Sequence, residues 1–311
     1  MIHLISHHSY LFIRRSPCSF DMELSRIIRY IRTVAGLSQE KFADEIGVTK
    51  LTVTRWESGT SIPNNIAQAG IYNVAKKYKV QFFDLIISDM PEHKMVNKRV
   101  ILYHASRSGI KGDIGPKSRD SCDFGKGFYM GTRASQPLTL IFSSDRDRAE
   151  NAVMYTVEFD LNDLNVLYVP PTIDWVLLVA YSRGKMRKYA ESPLYEKYSK
   201  MLNGYDVVVS KIADDRLFNV LDLFFRRFIS DNSVLNCLSA LPLGEQYVAL
   251  TERACRQIRI LEERRYSELE RLCVYDTSRQ NTEYAREIAD KICTEQRQDG
   301  MLFNQMMKRR E

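Results

Sequence analysis

The sequence predicts a multidomain protein in which an all-α domain is followed by an α+β domain and a helical C-terminal tail. From residue 22 onward, apolar residues recur at three- and four-residue steps, which is typical of amphipathic helices. After residue 98 the pattern changes to short β-branched and aromatic runs that mix with helical stretches without a regular βαβ order. The 311 residues are enough for two domains.

The composition is that of a globular protein with a mild basic excess. Hydrophobic residues make up 44% and charged residues 27% of the chain, so we predict packed cores. The net charge of +6 suits contact with a polyanion. The six cysteines form no C-x-x-C pair, which argues against a metal site and fits a reducing cytoplasm. No apolar run reaches the ~18 residues needed to cross a bilayer, so we expect a cytoplasmic protein without a membrane partner.

Residues 1–21 are predicted to be a disordered extension. Histidines interrupt the apolar part, and Arg14 and Arg15 follow it, which reverses the order found in a secretory signal. Met22 is an alternative first residue.

Residues 22–88 are predicted to form a small helical domain. Its first helix is followed by Gly36, where a left-handed C-terminal residue is expected. Ser38 and Thr49 offer N-cap oxygens for the next two helices, and Gly47 and Gly59 end them.

The segments L-S-Q-E at 37–40, I-G-V-T at 46–49 and R-W-E-S-G at 55–59 closely resemble the lambda-repressor/Cro-type (XRE-like) helix-turn-helix family. In that family the second helix of the motif, here residues 49–57, lies in the major groove of double-stranded DNA. The resemblance implies DNA binding and a homodimer on a palindromic site. The implied DNA-contacting residues are Gln39, Thr49, Lys50, Thr52 and Arg55. A helical domain used for protein contact is the alternative.

The remainder of the chain is predicted to be a linker, an α+β domain and a tail. Residues 89–98 are polar, contain Pro91 and lack periodicity, which indicates a linker. Residues 99–261 are predicted to form the α+β domain. The charged segment from residue 256 onward is predicted to be helical, and residues 262–311 form the tail, whose alternative role is a docking helix.

Chemistry-bearing residues cluster early in the α+β domain. His104 directly follows a strand in L-Y-H-A-S, and D-F-G-K-G-F-Y-M-G-T occupies residues 123–132. The decapeptide lacks the spacing of a phosphate-binding loop. It predicts either a tight glycine turn into a strand or a loop whose backbone approaches a ligand beside an aromatic ring.

The decapeptide and Y-H-A-S at 103–106 resemble the ADP-ribosyltransferase superfamily, and more narrowly a bacterial branch with the hallmark D-F-G-K-G-F-Y-x-x-T. Weaker similarities are Gln136, a helix from Trp175 to Arg183, and E-Q-Y-V at 245–248. The resemblance implies a split β-sandwich that binds NAD as a co-substrate. Such enzymes release nicotinamide through an oxocarbenium-like transition state and pass ADP-ribose to a macromolecular acceptor, which could be protein, DNA or RNA.

The resemblance also implies roles for individual residues. The implied catalytic residues are His104, which would hydrogen-bond the adenosine ribose, Tyr129, which would stack on nicotinamide, and Gln246. Gln246 stands where the superfamily has a glutamate, and the adjacent Glu245 is the other candidate because strand neighbours point to opposite faces. Loss of one such electrostatic group typically costs ~3–4 kcal/mol of transition-state stabilisation. The implied NAD-binding residues are His104, Ser106, Gly125, Gly127, Phe128, Tyr129 and Thr132.

Three functional hypotheses follow. The first is a cytoplasmic DNA-binding protein with a NAD-dependent ADP-ribosyltransferase domain, acting as a toxin or defence-system component with a cognate antitoxin as partner. The second is a transcriptional regulator whose second domain binds NAD or a related nucleotide as a non-catalytic sensor. The third is a protein-interaction module.

Overall fold

The computed structural model describes residues 13–14, 17–91, 93–142, 151–213, 219–297 and 299–309. The helices are α1 Pro17–Val34, α2 Gln39–Ile46, α3 Lys50–Glu57, α4 Asn65–Lys77, α5 Phe83–Ile87, α6 Ser135–Ile141, α7 Ile173–Ser182, α8 Pro193–Lys200, α9 Asn219–Phe225, α10 Asp231–Leu238, α11 Glu252–Cys255, α12 Glu268–Glu295 and α13 Phe303–Arg309. The strands are β1 Ile13–Arg14, β2 Met95–Val96, β3 Arg99–Ser106, β4 Phe128–Gly131, β5 Val153–Asp160, β6 Val166–Val169, β7 Val207–Lys211, β8 Glu245–Ala249 and β9 Ile258–Arg265. No helix in these ranges is both long and apolar enough to span a membrane.

Helices α1 to α5 form the predicted all-α domain. The apolar stripe of α1 is fully buried at Ile27 and Ile31. The predicted caps are confirmed: the Ser38 hydroxyl accepts from the Lys41 amide, and Gly47 ends α2 with a left-handed φ of 78°. A side chain at Gly47 would be strained, so this turn between α2 and α3 favours glycine.

The N-terminal segment differs in part from the predicted disordered extension. Residues 17–21 belong to α1, which begins at Pro17. Residues 13–14 form β1, which pairs in parallel with Glu262 and Glu263 of β9. The backbone of β9 offers hydrogen-bonding partners at its outer edge, and the sequence pattern did not indicate them. Residues 1–12 and 15–16 lie outside the described residues.

The second domain is built on one mixed sheet with the strand order β1-β9-β5-β3-β4-β8-β7-β6. Strand β3 pairs with β5 along its whole length. Its pairing with β4 on the other side has a single register point, Tyr103 opposite Gly131. This short pairing joins two half-sheets, one with the order β1-β9-β5-β3 and one with the order β4-β8-β7-β6.

Apolar clusters cover both faces of the sheet. On one face, the helices that follow β6 and β7 pack over Val208 and Val248 around the fully buried Trp175. On the other face, residues of both half-sheets, among them Leu102 and Val209, form one cluster. Mixed strands and helices in this arrangement agree with the predicted α+β class.

The charged segment after residue 256 is not helical throughout, in contrast to the sequence prediction. Residues 258–265 form β9, where Ile258 lies opposite Phe159 and Ile260 opposite Val157 of β5. This pairing places both isoleucines against apolar strand neighbours, and that gain outweighs helical propensity. The long helix α12 begins only after Ser267, which forms a capping box with Glu270.

The two domains share a core instead of being separated by a free linker. Residues of α12, including Leu269 and Val274, belong to the same apolar cluster as the core of the first domain. The predicted linker contains β2, which pairs with β3. The buried Arg264 guanidinium donates to the Ile86 carbonyl and to Glu270. It also forms an ion pair with Glu23 of α1.

Candidate functional site

Residues 123–132 fold as a turn-rich loop that leads into β4. Gly125 has a left-handed φ of 76°. The Tyr129 hydroxyl donates to the Gly125 carbonyl at 2.8 Å and accepts from the Phe124 amide at 3.0 Å. Burial raises the pKa of Tyr129 well above its ordinary value, so the phenol remains protonated and holds the loop.

Close packing explains the second glycine of the loop. A Cβ atom at Gly127 would lie 2.5 Å from Val248 Cγ1 and 3.2 Å from the Ala249 carbonyl oxygen. Glycine is therefore required here so that β4 can begin directly against β8. Gly125 and Gly127 thus have a structural reason, as the interpretation of a tight turn into a strand expects.

His104 follows Tyr103, the residue of β3 at which the two half-sheets join. Its Nδ1 is 2.7 Å from the Tyr129 carbonyl oxygen, and its ring stacks on Phe128 with centroids 4.2 Å apart. Burial lowers the pKa of His104, although the hydrogen bond to the Tyr129 carbonyl acts in the opposite direction. At neutral pH the imidazole is therefore neutral. Because a carbonyl can only accept, Nδ1 carries the proton and Nε2 is left as an acceptor.

The rings of His104 and Tyr129 lie on opposite sides of β4. Phe128 and Tyr129 are neighbours on this strand, so their side chains point to opposite faces. Phe128, on which the imidazole stacks, belongs to the cluster between the half-sheets, whereas Tyr129 packs against the helix-covered cluster. His104 and Tyr129 therefore meet through the backbone carbonyl of Tyr129 and not through their rings.

A buried polar chain links the loop to α7 and β8. Asp123 Oδ1 accepts from Arg183 Nε at 2.9 Å and from its Nη2 at 2.5 Å. Asp123 Oδ2 accepts from Gln246 Nε2 at 2.9 Å, and Gln246 Nε2 also donates to the Lys211 carbonyl. Gln246 is buried on the side of Tyr129, and Glu245 is exposed. Of the two candidate residues, Gln246 thus lies inside the fold.

Sequence reasoning assigned no role to Asp123, the first residue of the decapeptide. The available signal was its distant partner: Arg183 follows an otherwise apolar helix, and a buried cation needs an anion. A pair that is 60 residues apart in the chain gives no local pattern.

The remaining residues of the implied NAD-binding set make contacts within the protein. The Ser106 hydroxyl donates to the Gly109 carbonyl at 3.1 Å. The Thr132 hydroxyl accepts from the Glu245 amide at 2.9 Å, and the Thr132 amide donates to the Glu245 carbonyl. Both hydroxyls therefore brace the ends of β3 and β4. No group of three or more metal-ligating side chains is assembled among the described residues.

A cavity of about 640 Å³ lies between the two domains, close to the point where the half-sheets join. Tyr103 and Thr132 of the sheet region line it, together with Ile87 of α5 and Asn281 of α12. Arg133 provides a cationic group in the same wall. Cavities of this size at domain junctions are common sites for small molecules.

The predicted DNA-contacting helix α3 has an exposed polar face. Lys50 and Arg55 are exposed, and Val53 is fully buried, as the helical period predicts. Thr49 caps the helix and its hydroxyl lies 2.9 Å from that of Thr52. Exposed lysine and arginine side chains can contact phosphates and base edges.

Gln39 and the buried Glu57 fix α3 against the preceding helices. Glu57 Oε1 accepts from Arg32 Nε at 2.5 Å, and Glu57 Oε2 accepts from Gln39 Nε2 at 2.8 Å. Gln39 Oε1 also accepts from the Thr54 hydroxyl. In this structure the Gln39 amide therefore positions α3, and sequence reasoning missed this role of Glu57.

Comparison with protein families finds two matches. Residues 28–66 match the helix-turn-helix family model, which supports DNA binding by the first domain. Residues 100–260 match a second family model, which covers β4 to β8, most of β3 and the first residues of β9. Comparison with curated proteins and with solved structures gives no match. The second match covers more than half of the chain, which therefore belongs to the family described as "Protein of unknown function (DUF3990)".

Proposed function

We propose that this chain is a DNA-binding protein whose second domain is a NAD-dependent ADP-ribosyltransferase. One observation carries the proposal: the two half-sheets are joined at the single register point Tyr103–Gly131, and His104 lies next to it with Nε2 as an acceptor. Residues 103–106 and 123–132 resemble the superfamily, and this resemblance implies a ligand-binding histidine where the two half-sheets join.

The residues at the split fit a dinucleotide in part. His104 Nε2 is suited to accept a hydrogen bond from a ribose hydroxyl, since the other ring nitrogen is occupied by the Tyr129 carbonyl. The Tyr129 hydroxyl contributes by fixing the loop through its hydrogen bonds to the Gly125 carbonyl and the Phe124 amide. When bound, NAD would supply the C–N bond between ribose and nicotinamide, and its electron pair would leave with nicotinamide. The nucleophile of the acceptor would then bond to the same ribose carbon and lose a proton.

The neutral Gln246 limits the electrostatic stabilisation that this site provides. Its amide lies on the face of the sheet opposite to the His104 ring and already donates to Asp123, which is paired with Arg183. A transition state with positive charge on the sugar therefore gains less here than it would beside a free carboxylate. We expect turnover to be slow, with nicotinamide release as the sensitive measurement.

Calorimetric titration of the full chain with NAD tests the binding step. His104→Ala should weaken NAD binding by at least tenfold, whereas Lys200→Gln on α8, an exposed position with a surface ion pair, should not change it. Equal affinity of wild type and His104→Ala would contradict the site. Transfer of labelled ADP-ribose, or free nicotinamide after incubation, then identifies the enzyme.

A second candidate function, a NAD- or nucleotide-responsive transcriptional regulator, is favoured by the cavity between the domains. This cavity is walled by α5 of the first domain and by α12, so a ligand there would contact both domains. Under this proposal intact NAD shifts the affinity of the chain for DNA without being consumed. Unchanged DNA affinity with saturating NAD would exclude it.

A further inference from the structure

A second cavity lies at the far end of α12, between α13, the turn after α9 and the short helical turn Arg187–Tyr189. Its volume is about 550 Å³. Four cationic side chains line it: Lys188, Arg226, Arg227 and Lys308. All four are exposed, and none forms an ion pair with a described residue.

The lining contains no carboxylate among the described residues, so the cavity concentrates positive charge. Four neighbouring cations repel one another, and this repulsion is relieved when an anion binds. Positive clusters of this kind raise the local concentration of phosphate-bearing molecules. The charge therefore favours an anionic ligand.

Aromatic rings form the floor and part of the rim of the same cavity. The ring centroids of Tyr189 and Phe225 lie 4.9 Å from that of Phe303. Phe228 is 48% exposed at the rim, and its carbonyl accepts from Arg297 Nε at 2.8 Å. The Arg297 guanidinium lies 5.8 Å from the centroid of the Phe228 ring, and the part of the ring that stays exposed is a stacking surface for a planar group.

We propose that this basic–aromatic cavity binds nucleotides, either free or as part of a single strand. A nucleobase stacks on the exposed ring of Phe228, and its phosphates contact the guanidinium groups of Arg226 and Arg227. The combination of aromatic faces with cations is what sequence-independent binding of single-stranded nucleic acid uses. The proposal does not depend on NAD binding at His104.

The cavity is separate from the DNA-contacting helix. Asp276 on α12 contacts the first domain, and Gln296 at the other end contacts α10 beside the cavity. These positions are 20 residues apart, which corresponds to ~30 Å along an α-helix. A duplex held by α3 and a strand held at this cavity would thus occupy different places on the molecule.

Fluorescence anisotropy of the full chain with a labelled 12-nucleotide oligo-dT or oligo-U tests the proposal. The double variant Arg226→Gln with Arg227→Asn removes two charges. Asparagine tolerates the left-handed φ of 68° at position 227. We expect at least tenfold weaker binding and a salt dependence shallower by ~1.4 in log–log slope. Phe228→Ala should weaken binding by at least about fivefold.

Lys200→Gln is the matched control for loss of one exposed charge and should bind the oligonucleotide like wild type. Lys50→Gln with Arg55→Gln in α3 should also retain this binding. Competition with unlabelled ATP distinguishes the two sources: displacement by ATP identifies a mononucleotide site, and displacement only by longer strands identifies a strand site. Wild-type affinity in both cavity variants, or equal competition by poly-glutamate of the same charge, would overturn the proposal.

Discussion

Tyr72 on α4 donates its hydroxyl proton to the carboxylate of Asp276 on α12 at 2.5 Å, across 204 residues of chain. Lys76, one turn further along α4, lies 3.1 Å from the same carboxylate oxygen. Gln68, one turn earlier, accepts from the Leu269 amide at 2.9 Å. These bonds fix one face of α4 in the first domain to α12.

Replacing Tyr72 with phenylalanine should destabilise the protein by about 1–3 kcal/mol, because it removes a hydrogen bond to a partly buried charged acceptor. The measurement is the free energy of unfolding in urea. Tyr78→Phe is the matched control, since its hydroxyl bonds to Glu45 at the surface of the first domain. A loss for Tyr72→Phe no larger than that of the control would contradict the importance of this contact.

The same carboxylate predicts a loss of stability in acid. Burial alone would raise the pKa of Asp276, but the hydrogen bonds from Tyr72 and Lys76 lower it below the ordinary value. Because the folded-state pKa lies below the unfolded one, the contribution is complete above about pH 4 and is lost as the pH falls through the folded-state value. Unfolding free energies from pH 7 to 3 should show the advantage of wild type over Asp276→Asn shrinking below pH 4. A constant difference over this range would count against the ionised pair.

Gly127→Ala should destabilise the second domain by about 1–3 kcal/mol through overpacking against Val248. The double variant Gly127→Ala with Val248→Ala removes the nearest clashing atom, so it should lose less stability than the two single changes together. Thermal unfolding of Gly127→Ala, Val248→Ala and the double variant measures the difference. If the double variant loses as much stability as the two single variants together, close packing is not the reason for glycine at this position.

Arg55→Ala should weaken specific DNA binding by about 1–3 kcal/mol, since arginine on the recognition helix can contact a base edge. Lys41→Ala on α2 is an exposed control outside the predicted DNA-contacting set. Electrophoretic mobility shifts on a selected DNA site give both affinities. Similar losses in the two variants would indicate general charge attraction instead of recognition by α3.

The sequence predicted those features that are set by neighbours in the chain. The apolar period of α1, the Ser38 cap and the glycine turn at Gly47 each depend on residues a few positions apart, and the structure confirms them. The resemblance of residues 37–59 located the helix-turn-helix correctly, and the helix-turn-helix family match includes these residues.

The sequence could not reveal contacts that join distant segments. Residues 258–265 have apolar spacings that suit a helix as well as a strand, and the pairing with β5 decides between them. Likewise, Asp123 meets Arg183 and Gln246 only after the loop, α7 and β8 have packed together. The contribution of α12 to the apolar clusters of both domains is another contact of this kind.

Because α12 packs in both apolar clusters, the first domain depends on residues near the C-terminal end of the sequence. A chain cut in the segment between α5 and β3 would leave bare apolar surface on both fragments, since Leu269 and Val274 would lose their partners in the first domain. Calorimetry of the intact chain should accordingly show a single cooperative melting transition. We expect removal of α12 to weaken DNA binding although it alters none of the residues predicted to contact DNA.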